Sequence, residues 1–154
     1  MKAAQLPNAE ERLRDLLAAH STIKLATAAP DAEPWIATAY FAAQGPYCLS
    51  FMLEGGGHTL TNMKANPRVA LMVENGDAMA LFAQAEGRAT VVEGAEARFR
   101  DAIAAKTPAS APLVGMPGLV AVRVDVTRWR LTDVPGGWLP ARELRPTALE
   151  ALSP

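Results

Sequence analysis

The sequence predicts a mostly-β domain, a small barrel of about six antiparallel strands with two or three helices at the connections. Short apolar runs recur along the chain between turns rich in Pro, Gly, Asn and Asp. The first three runs, at residues 21–28, 35–41 and 47–53, are joined by turns too short for a helical crossover, which makes them an antiparallel meander. No repeat, low-complexity tract or linker divides the chain, so residues 1–154 read as one domain. A barrel of this size fills its interior with side chains. Any ligand is therefore expected in an outer groove or between subunits.

Half of the residues are hydrophobic, 20% are charged, and the formal net charge is −1. This is the mix of a soluble globular domain with its own core. It argues against a nucleic-acid partner, which would call for a basic surface. No apolar run approaches the roughly 20 residues of a membrane span, so no membrane partner is expected. The single cysteine, Cys48, cannot form an internal disulfide, and the N-terminus lacks the apolar block of a signal peptide. Both point to the cytoplasm. Two histidines and one cysteine, without a pair at i,i+4, give no zinc pattern, and no G-x-S-x-G elbow supports a serine hydrolase. No metal is expected.

Taken in order, residues 8–20 predict a helix. Asn8 and Glu11 have capping-box spacing, and Leu13, Leu16 and Leu17 share one face. His20 closes that helix and reads as a C-terminal cap rather than a catalytic group. The strand at 21–28 alternates, 30–34 forms a turn between two prolines, and 35–41 and 47–53 follow as strands. Residues 68–73 form a further strand, and Asn75-Gly76-Asp77 signals a hairpin. The stretch 78–92 is long for one strand, and Gly87 marks a bulge or bend within it. A second helix begins at Gly94 with Phe99, Ala102 and Ile103 on one side. Residues 107–118, rich in proline, read as an irregular loop. The last clear strand is 119–126, extended to 132, and 133–154 form a tail. Met52, Met63, Met72 and Met79 read as core filler, Cys48 as inert packing, and Trp129 as a core anchor.

The most informative stretch runs from Glu54 to Val69. Three glycines, Gly55, Gly56 and Gly57, follow a strand and are expected to take positive φ angles. A short helix begins after them and stops at Asn66-Pro67. Strand, glycine loop and helix start together present free backbone N–H groups and the positive end of a helix dipole, a setting that binds anions such as phosphate. His58, Thr59 and Thr61 offer side-chain donors nearby. Neither a Walker pattern nor G-x-G-x-x-G is present, which argues against a nucleotide triphosphatase. On spacing alone, a ligand-free connection accounts for this loop equally well.

Leu25-Ala26-Thr27-Ala28, then Glu33-Pro34-Trp35, then Asn62-Met63-Lys64-Ala65-Asn66-Pro67-Arg68-Val69-Ala70-Leu71, and later Gln84-Ala85-Glu86-Gly87-Arg88-Ala89 occur in this order. Together they resemble the pyridoxamine 5′-phosphate oxidase-like FMN-binding split-barrel family, across residues 11–138. The resemblance implies a homodimer with two FMN molecules at the subunit interface. It places the flavin ring along Trp35, Ile36, Ala37 and Thr38, and the ribityl chain near Met52 and Leu53. It places the phosphate by Gly57, His58 and Thr59. Gln84 matches a glutamine that points at the flavin, and Trp138 with Arg142 would reach the flavin from the partner subunit.

Two departures shape the functional expectation. The oxidases place an Arg-Lys pair on the phosphate where this chain has His58-Thr59, and Lys64 reads as a solvated residue further along the helix. The arginine-rich pattern that holds pyridoxal phosphate in true oxidases is missing near the C-terminus. The resemblance therefore implies an FMN-dependent oxidoreductase, passing electrons from a reduced donor to a small-molecule acceptor, rather than a genuine pyridoxamine phosphate oxidase. No catalytic acid or base is assigned. The alternatives are a non-catalytic binding or storage protein for flavin, deazaflavin or haem, with His58 the residue that raises haem, and a dimeric scaffold whose groove is empty.

Overall fold

A computed structural model of the chain describes residues 8–147. Helix α1, Ala9–Ala19, starts on the expected capping box. The Asn8 side-chain oxygen accepts the Glu11 N–H at 2.8 Å, and the Glu11 carboxylate accepts the Asn8 N–H at 3.3 Å. Leu13, Leu16 and Leu17 are buried. His20 is the C-cap, its Nδ1 lying 2.9 Å from the Leu16 carbonyl oxygen. That contact suits the cap read from the sequence.

Eight antiparallel strands form one curled sheet: β1 Thr22–Ala28, β2 Pro34–Tyr40, β3 Ala42–Ala43, β4 Cys48–Glu54, β5 Arg68–Val73, β6 Phe82–Val91, β7 Leu119–Asp133 and β8 Trp138–Leu144. Their order is β2-β1-β5-β6-β7-β4-β3, with β8 also on β7. The helices are α2 His58–Ala65, α3 Glu96–Lys106 and α4 Ala111–Val114, with a 3₁₀ turn at Pro108–Ser110. The fifteen residues of β7 make the split. β4 pairs with its first half, from Leu119 to Asp125, and β8 with its last part, from Trp129 to Asp133. The architecture is the mostly-β barrel read from the sequence, with more strands than the six expected. One addition is the two-residue β3. The other is β8, which lies inside the stretch read as a tail, because a turn closed by Gly137 (φ +80°) sends it back along β7.

The burial pattern explains why these residues form these strands. β1 alternates strictly, with Ile23, Leu25 and Thr27 buried. Residues of one parity on β4, β6 and β7 point inward with them, including Leu49, Phe51, Ala83, Ala85, Val122 and Val124. Trp129 is fully buried, and its indole N–H donates to the Pro46 carbonyl oxygen at 2.6 Å, pinning the turn before β4 to β7. A smaller cluster, with Met52, Phe99, Ile103, Val114 and Ala121, lies beneath α3 and α4. Met63 is buried as expected, whereas Met79 is 55% exposed in the β5–β6 loop and fills no core.

Three other sequence expectations are corrected. The runs at 21–28, 35–41 and 47–53 do not form a meander, because β2 pairs only with β1, while β4 pairs with β3 and β7. Residues 107–118 are only partly irregular: 108–114 is helical, Pro112 falling near the N-terminus of α4, where a missing N–H costs nothing, and 115–118 is turn. Gly55, Gly56 and Gly57 all keep ordinary φ angles; the positive-φ glycines lie elsewhere. Close approach selects two of the three instead. A Cβ on Gly55 would sit 2.8 Å from the Gly118 carbonyl oxygen, and one on Gly57 3.2 Å from Glu54 atoms. Gly87 behaves likewise at the bulge between Glu86 and Gly87, where a Cβ would meet the Asp125 oxygen at 2.8 Å.

Gly87→Ala should therefore destabilise the barrel by about 1–3 kcal/mol, the usual effect of overpacking, read as a lower urea midpoint. A second outcome concerns Asp133, which ties the end of β7 to α1 through an ion pair with Arg12 and accepts the Gly136 N–H at 3.1 Å. The Arg12 guanidinium holds its carboxyl below the usual aspartate value. A depressed folded value means that the stabilisation is complete above the ordinary aspartate range, near pH 4, and is lost as pH falls through the lower folded value. Asp133→Asn should flatten that acid limb in thermal melts recorded between pH 2 and 5.

Candidate functional site

β2 is an edge strand, with β1 on one side and no strand on the other. Alternate N–H and C=O groups along its free edge are therefore left for another partner. That edge approaches β4 across a groove of about 470 Å³. Ala37, Thr38, Ala39 and Tyr40 line it consecutively. Successive side chains on a strand point to opposite faces, so four in a row place the groove along the backbone edge rather than on either face. Met52 and Leu53 of β4 form the apolar far wall.

The end of the groove is fixed by α2. Leu60, Asn62 and Met63 are buried, and the Asn62 amide donates to the Thr27 hydroxyl of β1 at 3.1 Å. With that face anchored, Gly57, His58 and Thr59 line the groove. The first i→i−4 bond of the helix is donated by Thr61 N–H to the Gly57 carbonyl at 3.0 Å. The N–H groups of His58, Thr59 and Leu60 precede it and are the free amides of a helix start. Thr61 adds no side-chain donor to the groove, because its hydroxyl also donates to the Gly57 carbonyl, at 2.9 Å.

Trp35 and His58 stack at the lip, with ring centroids 4.3 Å apart and planes 21° apart. The Trp35 indole N–H donates to the Thr59 hydroxyl oxygen at 3.2 Å, tying β2 to α2. Leu113 and Val114 of α4 close the opposite side. Sequence reasoning missed them by treating 107–118 as loop; an apolar pair beside Pro112 was the available signal. The lining carries one acidic side chain, Glu54, and no Lys or Arg. Lys64 is exposed in the last turn of α2, outside the groove.

Of the residues singled out from the sequence, Trp35, Ala37, Thr38, Met52, Leu53, Gly57, His58 and Thr59 meet in this groove. Three others stand apart from it within the single chain. Ile36, 66% exposed, and Gln84 line a separate depression on the outer face of the sheet. There the register sets two rows side by side: Ile36, Ala26, Ala70 and Glu86, and next to them Thr38, Lys24, Met72 and Gln84. Trp138 is half-buried at the start of β8 beneath two guanidinium groups, Arg12 at 4.7 Å and Arg142 at 5.5 Å from its ring centroid. Cys48 also lies outside the groove, and burial pushes its thiol above the usual value. Among the described residues no group of three His, Cys, Asp or Glu is placed to hold a metal, and no helix is long and apolar enough to cross a membrane.

A split antiparallel barrel with a groove of about 470 Å³ along one free strand edge defines a structural class of β-domains. Within it, the chain belongs to the pyridoxamine 5′-phosphate oxidase family, whose model matches residues 9–133. Solved structures with the same fold include a haem-binding protein from Mycobacterium smegmatis, at 20% identity and a TM-score of 0.75. That match covers 92% of this chain and 60% of the other, so the chain spans about three fifths of that protein. HutZ, the haem storage protein from Vibrio cholerae, is 17% identical at a TM-score of 0.62, over 78% of this chain and 91% of its own. A pyridoxamine 5′-phosphate oxidase-like protein from Listeria innocua is 16% identical at 0.66, over 82% and 99%. No protein with a curated description matches the chain.

The stacked lip yields a direct expectation. His58→Ala removes the ring lying on Trp35, so tryptophan emission should move to the red and become more accessible to iodide. The exposed site makes the change in stability small, within about 0.5 kcal/mol.

Proposed function

We propose that the chain is a homodimeric flavoprotein that holds FMN in the β2–β4 groove and acts as an oxidoreductase between a reduced donor and a small-molecule acceptor. The observation that carries this reading is the continuity of the groove. An edge strand with unused backbone donors leads into a helix start with free amides, and an aromatic pair stands at the junction. A planar ring system finds an apolar wall in Met52 and Leu53 and donors along residues 37–40, while a phosphoryl end finds the amides of His58, Thr59 and Leu60. The ring and sugar chain thus fit the residues present; the phosphoryl end meets amides and a hydroxyl but no fixed cation.

When bound, FMN would supply the one- and two-electron chemistry that side chains lack. The chain's own part is to orient and shield. The β2 edge would hold the rim of the ring through its backbone N–H groups, Trp35 and His58 would give it a flat boundary, and Leu113 would narrow access for water. No side chain in the groove is assigned as an acid or base. A second copy of the chain is supported by the outer sheet face, where Ile36, Ala26, Ala70 and Met72 lie open among Lys24, Gln84, Glu86, Arg128 and Arg130. Pairing there would cover Ile36 and give Gln84 a partner surface. The lone free thiol at Cys48 suits the reducing cytoplasm.

A second reading, non-catalytic binding of haem or a deazaflavin, is favoured by His58, an exposed imidazole at the lip of an apolar groove. The haem-binding and haem-storage relatives support it.

Purified protein incubated with excess FMN should retain a yellow chromophore through gel filtration, eluting as a dimer. Trp35→Ala should weaken binding about tenfold, the equivalent of one lost aromatic contact. Haemin in place of FMN, giving a Soret band that is lost in His58→Ala, would select the second reading. A protein that retains neither would sink both.

A further inference from the structure

Glu54 is the last residue of β4, and it is the one acidic side chain that lines the groove. Its backbone carbonyl accepts the Gly57 N–H at 3.1 Å, closing the turn that leads into α2. Its carboxylate folds over the same turn: a Cβ built on Gly57 would lie 3.2 Å from Glu54 Oε2. The acid therefore stands beside the helix start whose amides face the groove. The other titratable side chains lining the groove are His58 on α2 and Tyr40 on β2; β4 and α4 contribute only apolar side chains besides Glu54.

A carboxylate in that position favours the positive end of α2 in the absence of ligand. For an incoming phosphate it is a like charge, and like charges a few ångströms apart disfavour one another by an amount equivalent to about one pK unit or more. No Lys or Arg in the lining offsets it, so a flavin with a dianionic tail would be held less tightly than the same ring and sugar chain with an uncharged tail.

We propose that Glu54 is a specificity-determining residue of the groove, which discriminates among flavins by the charge of their tails and disfavours dianionic phosphate. This rests on the flavin reading above. Gly57 is packed against the same residue, because a Cβ there would sit 3.2 Å from the Glu54 Cβ, carbonyl oxygen and Oε2 alike.

The test is to titrate the full chain and its Glu54→Gln variant with FMN and with riboflavin, following flavin fluorescence. The expected result is about tenfold tighter FMN binding by the variant, one pK unit's worth of removed repulsion, with riboflavin changed less than about twofold. Riboflavin shares the ring and the sugar chain and lacks the phosphate, so an equal change for both flavins, or no change for FMN, overturns the role of Glu54 while leaving the flavin reading intact. Failure of both proteins to bind either flavin overturns the flavin reading, and the role of Glu54 with it. Should Glu54→Gln not fold, Glu54→Asp keeps the charge but withdraws it by one methylene. It should then tighten FMN binding by a smaller factor, again without affecting riboflavin, and an unchanged FMN affinity in it overturns the role.

Discussion

The site depends on how α2 is wedged between the first strand and the end of β4. Leu60 and Met63 are buried in the barrel, and Asn62, almost fully buried, finds its partner in the Thr27 hydroxyl. A buried amide without a partner is costly, so this hydrogen bond fixes the rotation of the helix as well as its depth. Once that rotation is set, His58 faces Trp35 and Thr59 reaches its indole nitrogen. The groove is thus a by-product of core packing. Nothing at its surface has to hold it open.

A filled interior and an unpaired strand edge then divide the labour. The barrel core, from Leu13 through Trp129 and Leu131, carries stability. In the proposed reading the edge of β2 would carry recognition through its backbone, which is insensitive to the identity of Ala37 or Thr38. Specificity would then fall to what surrounds the edge: the aromatic pair, the α4 wall and the acid at the end of β4.

Much of this was legible in the sequence because periodicity and caps are local properties. The alternation of Thr22–Ala28 and the Asn8–Glu11 box report structure within a few residues of themselves. The loop end of the groove, Gly57 to Thr59, was legible from the glycines before a helix start, whereas its strand residues were legible only through a resemblance to a known family, since nothing local in Met52 or Thr38 marks them. The triglycine misled for a physical reason. Glycine is chosen either for its φ freedom or for its missing Cβ, and the sequence does not say which; here Gly118 and Glu54 crowd two of the three. β8 was missed because its strand residues, Trp138 to Leu144, include a proline and alternate weakly. Glu54 escaped notice because nothing in the last residue of a strand tells that the following turn folds back against its side chain.

The wall supplied by α4 has a consequence for how such a protein can change. Leu113 is half exposed and belongs to a short helix hung between α3 and β7, outside the main core cluster. Substitutions there would reshape one side of the crevice while leaving strand register and barrel closure untouched. Evolution, or an engineer, could thus alter the shape of the crevice by editing a handful of residues that folding barely notices.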